Sequence, residues 1–150
     1  MRVYLAGPLF NVAERRFLAA LRDDLNALPG VRALWPGDLF VDDDLEALGE
    51  GAKTHIFQGC VTGLAGCDLV VAWLDGTQVD DGTAWELGHA HALGLPAWGL
   101  RTDFRRAGDT AHSLVNCMIE CSCARIFRDT DSLLGAVARQ AAQGLEAPAV

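Results

Sequence analysis

The 150-residue chain reads as one doubly wound α/β domain, a five-stranded parallel sheet flanked by helices in the flavodoxin/Rossmann-like manner. Three observations predict it. Short apolar runs of strand length alternate with longer segments of helical periodicity along the whole sequence. The most apolar run, residues 69–74, has the length and β-branched content of a buried central strand. Glycine and proline punctuate the runs, at Gly7-Pro8, Pro29-Gly30, Pro36-Gly37, Gly94 and Pro96. No internal repeat, low-complexity segment or linker interrupts the pattern, so one domain over residues 1–150 is expected, with 144–150 a loose tail.

In order, residues 2–6 (RVYLA) form the first strand, stopped by Gly7-Pro8. Asn11 with Glu14 three residues on is a capping box, and Phe17, Leu18, Leu21, Leu25 and Leu28 behind it share one helical face. Residues 31–35 are the second strand, which Pro36-Gly37 turns into a loop. That loop, residues 38–51, carries six carboxylates that read as solvated surface, with Leu39-Phe40 ahead of them as a candidate pocket wall. Residues 52–66 form a helix with Ile56, Cys60, Gly63, Leu64 and Cys67 on one stripe. The central strand follows, then a helix closed by Gly94 and Pro96, then a strand over 95–100. Residues 104–109 are polar loop and 111–121 a weaker helical segment. Residues 124–127 make the last strand and 131–143 an amphipathic helix with Leu133, Leu134, Val137 and Ala141 inward.

With 51% hydrophobic and 21% charged residues the chain is globular. A net charge of −8 and a pI of about 4.8 argue against binding nucleic acid through its phosphates. No apolar run approaches the length of a membrane span, and Met1-Arg2 leads straight into a strand, so no secretory leader is predicted. Five cysteines, an odd number, then suggest reduced thiols and a cytoplasmic chain. Cys117, Cys121 and Cys123 lack a CxxC pair, so no metal site is predicted. The absence of GxGxxG after the first strand, and of GxxxxGK[ST], argues against a dinucleotide site or a P-loop.

Chemistry concentrates between Asp68 and Pro96, where a strand, an acidic glycine-containing loop and a helix start succeed one another as at the ligand crevice of an open parallel sheet. Two readings of Glu86 stay open on the residues alone. Thr83-x-x-Glu86 has capping-box spacing. The same place beside a helix N-terminus keeps a carboxylate ionised, as a nucleophile requires. A crevice lined by carboxylates suits neutral polyols such as sugars. Paired carboxylates beside a sugar point to glycosidic-bond chemistry, with Glu86 attacking and Asp80 as its partner in a retaining route. Tyr4, the only tyrosine, is either a satisfied core residue or faces that crevice from the end of the first strand.

Three blocks together resemble the nucleoside 2-deoxyribosyltransferase family: Tyr4-Leu5-Ala6-Gly7-Pro8-Leu9-Phe10, residues 80–90 (DDGTAWELGHA), and Asn116-Cys117-Met118. Asp103-Phe104-Arg105-Arg106 adds a weaker echo. The resemblance implies the same five-stranded fold and transfer of 2-deoxyribose between nucleobases, in purine and pyrimidine salvage, without a cofactor. By it, Glu86 is the nucleophile of a covalent 2-deoxyribosyl-enzyme formed with retention, Tyr4 orients that glutamate, and Asp80 contacts the deoxyribose. It places Gly7 and Phe10 at the substrate, and has Asn116 and Met118 completing the site of a neighbouring subunit, so a homo-oligomer with shared sites is expected. Deoxynucleosides and nucleobases are the implied substrates. One departure stands out: Cys60 aligns with an aspartate that family members place near the base. A thiol with an ordinary pKa of about 8.5 is mostly neutral at pH 7, and its place on the apolar stripe reads as that of a small buried residue. Base protonation is then left to Asp80, Asp81, water or another group. His89, where the family often has tyrosine, is expected to be structural. Two alternatives accompany the transferase. One is an N-glycosidic hydrolase of deoxynucleosides or their 5′-monophosphates, with Arg105 and Arg106 as phosphate candidates. The other is a non-catalytic nucleoside-binding module.

Overall fold

Five parallel strands build the sheet of the computed structural model, which describes residues 1–144. They are β1 (Arg2–Ala6), β2 (Arg32–Leu34), β3 (Leu69–Trp73), β4 (Ala97–Leu100) and β5 (Arg125–Phe127), in the spatial order β2-β1-β3-β4-β5. The register runs from Val3 opposite Leu69 to Ala6 opposite Ala72, and from Val70 opposite Ala97 to Trp73 opposite Leu100. From β1 the chain turns outward to the edge strand β2 and then returns past β1 to β3. The order therefore reverses between β1 and β3, and an open parallel sheet binds ligand beyond the strand ends at such a switch point.

Alternation along each strand feeds two apolar layers. Val3, Leu5, Leu69 and Val71 face one side, packed with Leu18, Leu21 and Leu25 of α1 (Val12–Ala27) and with Leu133 and Val137 of α6 (Thr130–Gln143). Tyr4, Ala6, Val70 and Ala72 face the other, under Leu64 of α3 (Ala52–Ala65) and Leu87 and Ala90 of α4 (Asp81–Ala92). A strand covered on both faces has no position for a polar side chain, which is why residues 69–72 read as unbroken apolar sequence. The capping box expected at Asn11 is present in both halves. No helix among the described residues is long and apolar enough to cross a membrane.

Several boundaries differ from the sequence expectation. Trp35 is not strand but the residue before α2 (Pro36–Leu39), since Pro36 at the first helical position starts a turn instead of a loop. Phe40 does not form a free wall; it lies against the bare backbone of Gly59 and edge-on to His55. The segment 111–116 is irregular, and α5 (Cys117–Ser122) starts only at Asn116, whose side chain caps it. Thr110 and Ser113 tie the preceding turn through their own hydroxyls, a local alternative that outcompetes helix there. The expected tail, apart from Gly144, lies outside the described residues.

Candidate active site

Helix α4 begins at the acidic loop because Asp80 caps it: Oδ2 accepts from the Thr83 backbone N–H and hydroxyl, both at 2.9 Å. A cap of this kind is worth about 1 kcal/mol. The box read into Thr83-x-x-Glu86 is therefore not formed. Thr83 is already the third helical residue and is buried, and Glu86 lies one turn further in, free of any capping duty.

Glu86 instead meets Tyr4. The hydroxyl of Tyr4, buried in the middle of β1, donates to Glu86 Oε1 at 2.6 Å across 82 residues of chain. Glu86 Oε2 accepts no hydrogen bond among the described residues, and it is not among their sealed, unpaired atoms. One oxygen is thus held and the other is open. Burial pushes the Glu86 carboxyl up to about 7; the Tyr4 bond opposes that, and the Asp80 charge adds to it. Desolvation is the largest of these effects, so burial sets the direction of the shift. Tyr4 is itself pushed above its ordinary value, by burial and then by the Glu86 charge, and stays a donor.

Glu86 opens onto a cavity of about 430 Å³ lined also by Lys53, Ile56, Phe57, Cys60, Val61, Gly82 and Trp85. Trp85 meets Phe57 edge-on at 5.3 Å and stacks with His89 at 5.0 Å, giving His89 a structural place. Cys60 is half-buried on the cavity wall beside the Tyr4 hydroxyl, not sequestered in the core as its stripe suggested. Burial raises its thiol pKa.

The sequence model for nucleoside 2-deoxyribosyltransferase matches residues 3–120, a span holding Tyr4, Asp80, Glu86 and Asn116. The chain belongs to the nucleoside 2-deoxyribosyltransferase family. Family membership places it among enzymes acting on nucleosides, with nucleosides and nucleobases as the substrate class. Solved structures share its fold. A conserved protein from Enterococcus faecalis V583 superposes with a TM-score of 0.74 at 26% identity, over 93% of this chain and 98% of that one. A 2-deoxyribosyltransferase from Bacillus psychrosaccharolyticus gives 0.75 at 24% identity, over 89% and 90%. A CMP N-glycosidase from Clostridium botulinum gives 0.58 at 17% identity, over 91% and 98%. No curated protein matches the chain.

In this deoxyribosyltransferase-family chain the fold brings Tyr4, Glu86 and Asp80 together, while Gly7, Phe10, Asn116 and Met118 do not line the Glu86 cavity. Gly7 packs over Leu18, where an added Cβ would come within 2.9 Å of a Leu18 methyl, so its role in the fold is to let the chain leave β1. Phe10 is 80% exposed. Asn116 and Met118 line a second cavity of about 600 Å³ with Asp81, Ala84, Leu87 and Gly88, whereas Gly82, Trp85 and Glu86 of α4 line the first. Met118 is 75% exposed.

Arg101 was missed. It follows β4 directly and is fully buried; its guanidinium donates to the carbonyls of Leu74, Gly76 (3.1 Å) and Arg105 (2.9 Å). In return Asp75 accepts from the backbone N–H groups of Thr102 and Asp103 at 2.6 and 3.0 Å, and Asp103 accepts from that of Gly76 at 3.0 Å. The loop leading to Asp80 is thereby clamped to the loop after β4. The Arg105 guanidinium, paired with Asp103 in the same clamp, holds that carboxyl well below its usual range.

Removing the Tyr4 hydroxyl tests the held oxygen. The bond favours the carboxylate, so Tyr4→Phe is expected to move the acid limb of kcat/KM above the wild-type midpoint near pH 7. It should also cost about 10- to 100-fold in rate, the worth of a hydrogen bond to a charged group. An unshifted limb would remove Tyr4 from the catalytic group.

Proposed function

We propose that this protein transfers 2-deoxyribose between nucleobases through a covalent intermediate on Glu86, with retention at the anomeric carbon. The observation that carries the reading is the Tyr4–Glu86 pair, in which one carboxylate oxygen is anchored at 2.6 Å and the other opens onto a cavity of nucleobase-compatible walls. In the first step Glu86 Oε2 attacks C1′ and the base departs; in the second, an incoming base attacks C1′ and frees the carboxylate. This reading assigns the contact with the sugar to Asp80, whose Oδ2 is fixed by its cap bonds. Within this reading the protein is a cytoplasmic salvage enzyme.

The same reading makes it a homo-oligomer. Asn116 and Met118 line a different cavity from Glu86, so service to catalysis requires that they act on the site of a neighbouring copy. Asn116→Asp keeps the oxygen that caps α5 and removes the amide donor. It is expected to raise KM for deoxynucleoside by about 10-fold or more, the loss of one good polar contact, with a small fall in melting temperature because the amide also donates to Asp109 Oδ1 at 3.3 Å and a carboxylate there would face that of Asp109. Full activity in a diluted, sedimentation-verified monomer would refute the shared site.

The deciding experiment incubates the protein with 2′-deoxyadenosine, with and without excess cytosine, and follows products by chromatography with mass detection. Deoxycytidine is the expected new product. Adenine with free deoxyribose, unchanged by cytosine, would replace transfer by hydrolysis, the chemistry that the CMP N-glycosidase of the same fold is named for. A preference for monophosphates has less support, because Arg105 is held by Asp103 and Arg106 donates to the Ala111 carbonyl. Ligand binding without base release would leave the binding module.

A further inference from the structure

The cavity beside Glu86 has walls of one kind. Ile56, Phe57, Cys60, Val61 and Trp85 offer apolar or weakly polar surface, and the Lys53 ammonium at the edge is paired with Glu50 at 3.0 Å. Deoxyribose hydroxyls would find few partners here, whereas a planar base fits aromatic and aliphatic walls. If Glu86 is the nucleophile, as proposed above, the base occupies this cavity and the sugar lies toward Asp80.

That placement sets a problem for the leaving group. When the C1′–N bond breaks, its electron pair goes to the base while Glu86 Oε2 bonds to C1′. A neutral base then departs as an anion and needs a proton. The wall group beside the Tyr4–Glu86 pair is the Cys60 thiol, which burial makes a poorer acid than usual, and the Lys53 ammonium is largely exposed and held by Glu50. A base that already carries a positive charge needs no proton and departs neutral. Water or a second base then attacks C1′ and returns the carboxylate. The remaining features favour a cation: a carboxylate at the cavity, the aromatic rings of Phe57 and Trp85, and a net charge of −8.

We infer that the preferred substrates are 2-deoxynucleosides whose base is cationic through N-alkylation, with the neutral wall at Cys60 as the specificity-determining feature.

The test compares 7-methyl-2′-deoxyguanosine with 2′-deoxyguanosine, subtracting spontaneous release measured with the Glu86→Gln variant. The methylated nucleoside is expected to have a kcat/KM about 100-fold higher or more, the factor a positioned general acid would otherwise supply. Cys60→Asp, which puts an acid beside the base, should narrow that ratio by about 10-fold through faster release of neutral guanine. Equal kcat/KM for the two nucleosides in the wild type, with a fall for the neutral one at alkaline pH, would reveal a general acid and overturn the inference. It would leave the deoxyribosyl reading intact, since both substrates turn over. Release from neither nucleoside would overturn both.

Discussion

Glu86→Gln is expected to lower kcat/KM for deoxynucleosides by roughly 10⁴-fold or more, because no other carboxylate among the described residues lines the cavity to carry the glycosyl ester. The amide keeps an oxygen for the Tyr4 hydroxyl, so the fold should survive. Stability should change in a defined direction. Glu86 titrates near 7 in the folded chain against 4.5 for an unperturbed glutamate, so the folded state holds the proton more tightly. Wild-type stability therefore falls as pH rises from about 4.5 to 7 and is flat above, a loss of about 3 kcal/mol if the full shift is realised. Glutamine removes that slope. Urea melts at pH 5 and pH 8, together with intact-mass detection of a sugar adduct, check both halves. A variant that still turns over, or that keeps the wild-type slope, would remove Glu86 from its role.

Arg101→Leu is expected to destabilise the protein by about 3–5 kcal/mol, the largest effect on stability of any single change considered. Leucine roughly replaces the stem, but the carbonyls of Leu74, Gly76 and Arg105 lose a buried charged donor. The loop from Leu74 to Asp80 loses its tie to the loop after β4, so activity should fall even at temperatures where the variant stays folded. Arg101→Lys restores charge with a single donor point and should recover only part of the loss. A melting temperature within about 2 °C of wild type for Arg101→Leu would show the clamp to be dispensable.

The sheet was legible because each strand and helix carries its own periodicity. Residues 69–72, apolar without a break, could only be a strand covered on both faces. Glu86 was found by its place after that strand, yet its surroundings were not. The spacing Thr83-x-x-Glu86 imitates a cap, and only the position of Asp80 three residues before Thr83 decides where the helix starts. The raised Glu86 pKa depends on burial by α3 and β1, which no local pattern reports. Arg101 was invisible for a similar reason: an arginine after a strand usually marks surface, and its partners are carbonyls, which every residue has. The cavity walls Phe57 and Val61 form a stripe at i and i+4 beside the one read from Ile56, Cys60 and Leu64; a short helix offers both, and packing chooses.

The bond between Tyr4 and Glu86 also ties the reaction to the folding transition. Its partners lie in an interior strand and in a helix that follows the strand's sheet neighbour, and β1 meets β3 only by closing a loop that runs from Val3 to Leu69. Closing such a loop costs chain entropy that local contacts cannot recover until the sheet is assembled. With Glu86 as the proposed nucleophile, no partly folded species, and no fragment lacking either β1 or α4, should contain the tyrosine-held carboxylate. Catalytic competence and secondary structure should vanish at one denaturant concentration, so residual turnover reports the folded fraction of a sample directly.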